Sequence, residues 1–90
     1  MKSIFNILNN QSNNYSTIQN CRADIIGELE AIIQYNAHLE QTDNEKAKET
    51  INDIMLEEMV HVGQLFGLLF YLNPESKTQF EKGLNEFNHS

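Results

Sequence analysis

The apolar stripes of this chain are interrupted at the same place on two segments, and this limits its fold more than any other feature. Along the second segment, Ala47, Ile51, Ile54, Glu58, His61, Leu65, Leu68 and Leu72 step by four and three residues. That spacing marks one face of an α-helix packed against other helices. All but two of these are ordinary core formers; the exceptions are a glutamate and a histidine. Along the first segment, Ile18, Cys21, Ile25, Glu28, Ile32, Tyr35 and Leu39 step in the same way, and Glu28 and Tyr35 break the apolar series. Withdrawing an unpaired carboxylate from water is costly, so each glutamate needs a charge partner or a proton. Two glutamates and a histidine expected to be buried on facing helices are therefore candidate metal ligands.

The remaining composition is consistent with a small helical domain. The chain has 90 residues, near the size at which one core is marginal without metal, disulfide or oligomer. Pro74 is the only proline and there are four glycines, which favours long uninterrupted helices. A net charge of −7, with no Lys/Arg cluster to neutralise phosphates, argues against nucleic-acid binding. Cys21 has no partner for an intrachain disulfide, so a reducing, cytoplasmic setting is expected. The segment Met1–Leu8 lacks the features of a secretory signal. The apolar-rich run Leu65–Leu72 is far shorter than the roughly 20 residues of a membrane span, so no membrane segment is expected.

Taken in order, residues 1–14 read as a polar tail that begins with a small apolar patch, Ile4, Phe5, Ile7 and Leu8. A helical hairpin is expected over 15–73. Its first helix runs from about Ser16 to Glu40, capped by Ser16 or Thr17. The turn Gln41–Asn44 is short enough to make the helices antiparallel, and Thr42 or Asp43 is the expected cap of the second. The second helix runs from about Asn44 to Leu72, with Glu45, Lys48, Glu49, Asn52, Asp53 and Glu57 on its solvated face. Asn73 then caps a short third helix over about 74–87, with Pro74 in the first position and Phe80, Leu84 and Phe87 on one side.

Glu58 and His61, three residues apart, project from one face a turn apart. Glu-x-x-His on a bundle helix is the ligand pair of di-iron and di-manganese carboxylate proteins. Glu28 lies fourteen residues before Thr42 and Glu58 fifteen after Asp43, so an antiparallel pair brings the two carboxylates level. Such a centre takes four carboxylates and two histidines, and one chain supplies half. The expected assembly is a homodimer: an all-α, four-helix bundle in which two metal ions sit between Glu28, Glu58 and His61 of both copies. Four carboxylates facing two divalent ions leave the buried centre near neutral.

These residues resemble the ferritin-like superfamily, and the two-helix length most resembles the encapsulated ferritins, whose helical hairpin dimerises to complete a ferroxidase centre. The resemblance runs over about residues 24–74, through GELEAIIQY and LEEMVH. It implies that Glu28, Glu58 and His61 ligate iron and that Tyr35 hydrogen-bonds a ligand carboxylate, so these four residues make up the catalytic set. It also implies that Glu30 lies on the metal uptake path; because so small a chain cannot form a cage from complete bundles, mineral storage would require a ring of dimers, an enclosing encapsulin shell in the cytoplasm, or both. Glu28, Tyr35, His38 and Glu58-Met59-Val60-His61 are similar in spacing to the first half of bacterioferritin. His38 nevertheless reads as surface, and Met59 is not expected to ligate haem.

The chain departs from that pattern in three places. Gln34 stands where the encapsulated ferritins usually carry tryptophan, and Gly27 replaces an acidic residue. The C-terminal FEKGLNEFNHS is unlike the usual encapsulin-targeting peptide. No Cys-x-x-Cys pair is present to act as a rubredoxin-type donor. Three functions follow from the pattern: a ferroxidase, a rubrerythrin-like peroxide reductase or manganese protein on the same ligands, and a helical assembly module whose polar core residues only fix register. Glu/His ligation suits iron and manganese alike. Gly63 and Gly67, spaced by four, would admit a closely packed helix, and Phe66, Phe70 and Tyr71 are expected to pack in the core or between subunits.

Overall fold

A computed structural model describes residues 15–90; the expected polar tail over 1–14 lies outside the described residues. The described chain is all-α, with α1 at Tyr15–Gln41, α2 at Glu45–Leu72 and α3 at Pro74–Asn88, and no strand. Because α1 already includes Tyr15, Ser16 and Thr17 are helical residues of its first turn and not its cap.

The cap of α2 is Asn44, not Thr42 or Asp43. Asn44 is extended, its Oδ1 accepts the Ala47 N–H at 2.9 Å, and its carbonyl accepts the Lys48 N–H at 3.0 Å. Thr42 instead shapes the connection, its hydroxyl oxygen accepting the Asn44 N–H at 3.2 Å. Asn is as good a cap as Asp, and only Asn44 is placed to reach the third helical N–H. At the other end, the Asn73 N–H donates to the Leu69 carbonyl at 2.8 Å and closes α2. The same residue opens α3, its Oδ1 accepting the Ser76 N–H at 3.3 Å, with Pro74 in the first position.

The core lies between α1 and α2. Cys21 and Ile25 pack against Leu69, with Ile18, Leu65, Phe66 and Phe70 around them. The Cys21 thiol donates to the Leu65 carbonyl at 3.2 Å, and farther along, Glu28 meets His61. As α1 advances from 21 to 28, its contacts on α2 therefore step back from 65 to 61. The buried residues of α2 are Met55 and Leu69, each one position beyond the expected Ile54 and Leu68. One residue is about 100° of helix rotation, and Ile51, Ile54, Glu58 and Leu65 of the expected stripe stay half-buried, so the side of α2 facing α1 is that stripe widened toward Met55, Val62 and Leu69.

The third helix leans on the end of α2. Phe80 meets Phe66 and Phe70 with ring centroids 5.3 and 5.2 Å away, and Arg22 Nη2 donates to the Ser76 hydroxyl at 3.3 Å. Tyr71 is 82% exposed, so it does not pack in the core of a single copy. Four apolar side chains are buried while eleven large ones are exposed, so the described chain leaves more apolar surface uncovered than it encloses. By length and composition Glu45–Leu72 is also apolar enough to cross a membrane. Counting the uninterrupted run Leu65–Leu72 missed this, because helical spacing distributes apolar residues around α2. The same helix carries Asp53, Glu57, Glu58 and His61, which are expensive in hydrocarbon.

Candidate metal centre

Glu28 comes from the middle of α1, and Glu58 and His61 from successive turns of α2. His61 Nδ1 stands 3.7 Å from Glu28 Oε1 and 3.6 Å from Glu58 Oε2. One donor atom from each of the three residues lies within 4.8 Å of the others. Bonds of about 2.0–2.2 Å to imidazole or carboxylate allow two donors on one ion to be at most about 4.4 Å apart. The two contacts to His61 are already at ligand spacing, and small rotations about the side-chain torsions close the rest. Among the described residues this is the one group of three His, Cys, Asp or Glu side chains that converge in this way.

The centre is open. The side chains of Glu28 and Glu58 retain 26% and 19% of their exposure and that of His61 46%, so none of the three is buried within the chain. The expectation of burial does not hold for a single copy, because two helices can wall only one side of the residues between them. No enclosed pocket forms among the described residues. Three protein donors on one side leave further coordination positions free for water, substrate or ligands from another molecule. The donor set itself, two hard carboxylates and one imidazole, fits divalent iron or manganese.

The other residues singled out in sequence lie apart from the three. Tyr35 is half-buried two turns along α1 from Glu28, on the same face, and its ring contact is with His38, edge-on at 6.4 Å. Among the described residues no hydrogen bond joins Tyr35 to the triad. His38 is exposed, and so is Glu57. Glu30 is exposed, and two residues on from Glu28 it stands on the far side of α1. Among the described residues no further His, Cys, Asp or Glu joins the cluster.

No protein-family model matches this chain, and no solved structure matches it significantly. Two curated proteins do. The chain is 35% identical over 65 residues to a ferritin-like–encapsulin shell fusion protein of Pyrococcus furiosus, covering 72% of this chain and 19% of that one. It is 35% identical over 66 residues to an encapsulin nanocompartment cargo protein of Myxococcus xanthus, covering 73% of this chain and 51% of that one. Its relatives are encapsulin-associated proteins. The chain spans about half the length of one relative and about a fifth of the other.

Proposed function

We propose that this chain is an iron-handling ferroxidase of the ferritin-like kind. Glu28, Glu58 and His61 of two copies together hold a pair of Fe(II) ions. The observation that carries this reading is the convergence of three ligand-type side chains from two helices at a face left open for a second copy. The two relatives, a ferritin-like–encapsulin shell fusion protein and an encapsulin nanocompartment cargo protein, support it from outside the structure.

In this reading α1 and α2 form a hairpin, and two hairpins close a four-helix bundle over the centre. Iron is the substrate. Each Fe(II) gives up one electron, and dioxygen takes the two electrons with two protons, yielding two Fe(III) and one hydrogen peroxide. The four carboxylates offset the charge of the ions as it rises, and each imidazole holds its ion in position. In this reading Tyr35, two turns along α1 from Glu28, hydrogen-bonds a ligand carboxylate. The oxidised iron is then passed on within an encapsulin compartment in the cytoplasm, where this chain is cargo.

The test is aerobic oxidation of Fe(II), followed by ferric absorbance for the wild type, Glu58→Ala and His61→Ala. The account expects catalysed oxidation in the wild type, reduced at least tenfold by either substitution. Equal rates in all three proteins and in buffer would refute it. Rapid peroxide consumption with an added reductant, without accumulating ferric product, would favour the peroxide reductase or manganese reading instead.

A further inference from the structure

Met55 is set apart from the rest of the core. Of the four buried side chains among the described residues, Cys21, Ile25 and Leu69 form one cluster and Met55 is the fourth, 7% exposed. Phe66, where α3 leans on α2, lies about 16 Å farther along the helix, so the cover over Met55 comes from α1. The contacts of Cys21 with Leu65 and of Glu28 with His61 set the register of the two helices, and Met55 falls level with the turn of α1 that follows Glu28. On α2 it stands one turn before Glu58 and about 60° around the axis from it, a same-face neighbour with Cβ atoms about 5–6 Å apart. The thioether therefore borders the candidate metal centre without belonging to its donor set. Met59 is the contrast: it follows Glu58 directly, about 100° around the helix, and is 45% exposed.

We propose that Met55 is a site of oxidation coupled to turnover, and that its sulfoxide shuts the centre down. The proposal rests on the ferroxidase reading, in which hydrogen peroxide forms between Glu28, Glu58 and His61. Peroxide is scarcely larger than water and arises about one helical turn from the sulfur, so it needs no route through bulk solvent. A sulfur lone pair attacks one peroxide oxygen, the O–O bond breaks, and the other oxygen leaves as water with both protons. The sulfur is oxidised by two electrons and the peroxide is reduced by two. The Cys21 thiol, the other buried sulfur, lies two turns of α1 from Glu28 and is held protonated by burial, which leaves it unreactive.

The product turns a flexible apolar side chain into a polar one. In so small a core that change places an unsatisfied S=O between α1 and α2, one turn from Glu58. The helices part there, Glu28 and Glu58 lose their common level, and iron uptake falls. Methionine sulfoxide reductases reverse the step, so the loss is a switch and not only damage.

Peptide mass spectrometry of the full chain tests this by comparing two treatments. In one, metal-free protein receives hydrogen peroxide from solution. In the other, the protein turns over repeated additions of Fe(II) in air, with catalase present to remove dissolved peroxide. Dissolved peroxide should oxidise Met59 ahead of Met55, following exposure. Turnover should reverse that order and raise the ratio of Met55 to Met59 sulfoxide by about tenfold or more. Glu58→Ala should leave Met55 intact under the same additions. Met55→Leu conserves volume, and circular dichroism checks that its helices match those of the wild type. It should oxidise the first addition at about the wild-type rate and keep that rate over additions that slow the wild type by about half. An equal sulfoxide ratio under the two treatments would overturn the inference, as would a wild type and Met55→Leu that slow alike. Iron oxidised no faster than in buffer would sink the proposed function and this inference together. Catalysed oxidation that leaves Met55 unmodified would sink the inference alone.

Discussion

At the residue scale, the chain places a few polar groups where packing alone would put apolar ones. Glu28, Glu58 and His61 hold that position against a desolvation cost that grows as a second copy covers them. In the proposed function metal makes that burial tolerable, so Glu58→Ala should do more than weaken one bond. Cys21 gives an independent handle on the core. Burial pushes its thiol pKa up, and the Asp24 charge adds to this. A raised folded pKa favours the protonated thiol, so its contribution to stability is complete below the unfolded value of about 8.5. It is lost as pH rises through the folded value. Urea midpoints should therefore fall between pH 8 and pH 10, and Cys21→Ala should flatten that dependence while lowering stability at neutral pH. An unchanged slope in the variant would locate the alkaline loss elsewhere.

At the element scale, helix ends are fixed by single side chains. Asn44→Ala removes the acceptor for the Ala47 N–H and should cost about 1 kcal/mol in urea denaturation. Asn44→Asp should retain most of that. The third helix has no buried residue, and its apolar attachment is Phe80 against Phe66 and Phe70. Phe80→Ala should free it, and amide exchange over 74–88 should quicken by about tenfold or more while α1 and α2 stay protected.

The three helices and their approximate limits were legible because the 4-3 spacing, the polar turn and Asn73-Pro74 are local signals. The cap was misplaced because three polar residues in a row all satisfy the rule, and only geometry selects Asn44. The convergence of Glu28, Glu58 and His61 was legible from their spacing and their distance to the turn. The exposure of those residues was not, nor was the burial of Met55 and Leu69 beside the stripe. Both depend on how many helices surround a face, which periodicity does not encode.

At the scale of the whole molecule, a pair of long helices encloses only a small core among the described residues. Eleven large apolar side chains are exposed and the three candidate ligands are uncovered in a single copy, and the proposed function covers the ligands with a second copy. Stability is then linked to concentration: thermal midpoints should rise with protein concentration, and further with Fe(II) or Mn(II), because both act on the assembled state. Glu58→Ala should retain the first dependence and lose the second. The most direct test of the central claim is native mass spectrometry of oxygen-free protein titrated with Fe(II), beside Glu58→Ala. The account predicts about two irons per dimer, lost in the variant. No specific uptake of Fe(II), or of Mn(II) in a parallel titration, would contradict it and leave the triad as a device that fixes helix register.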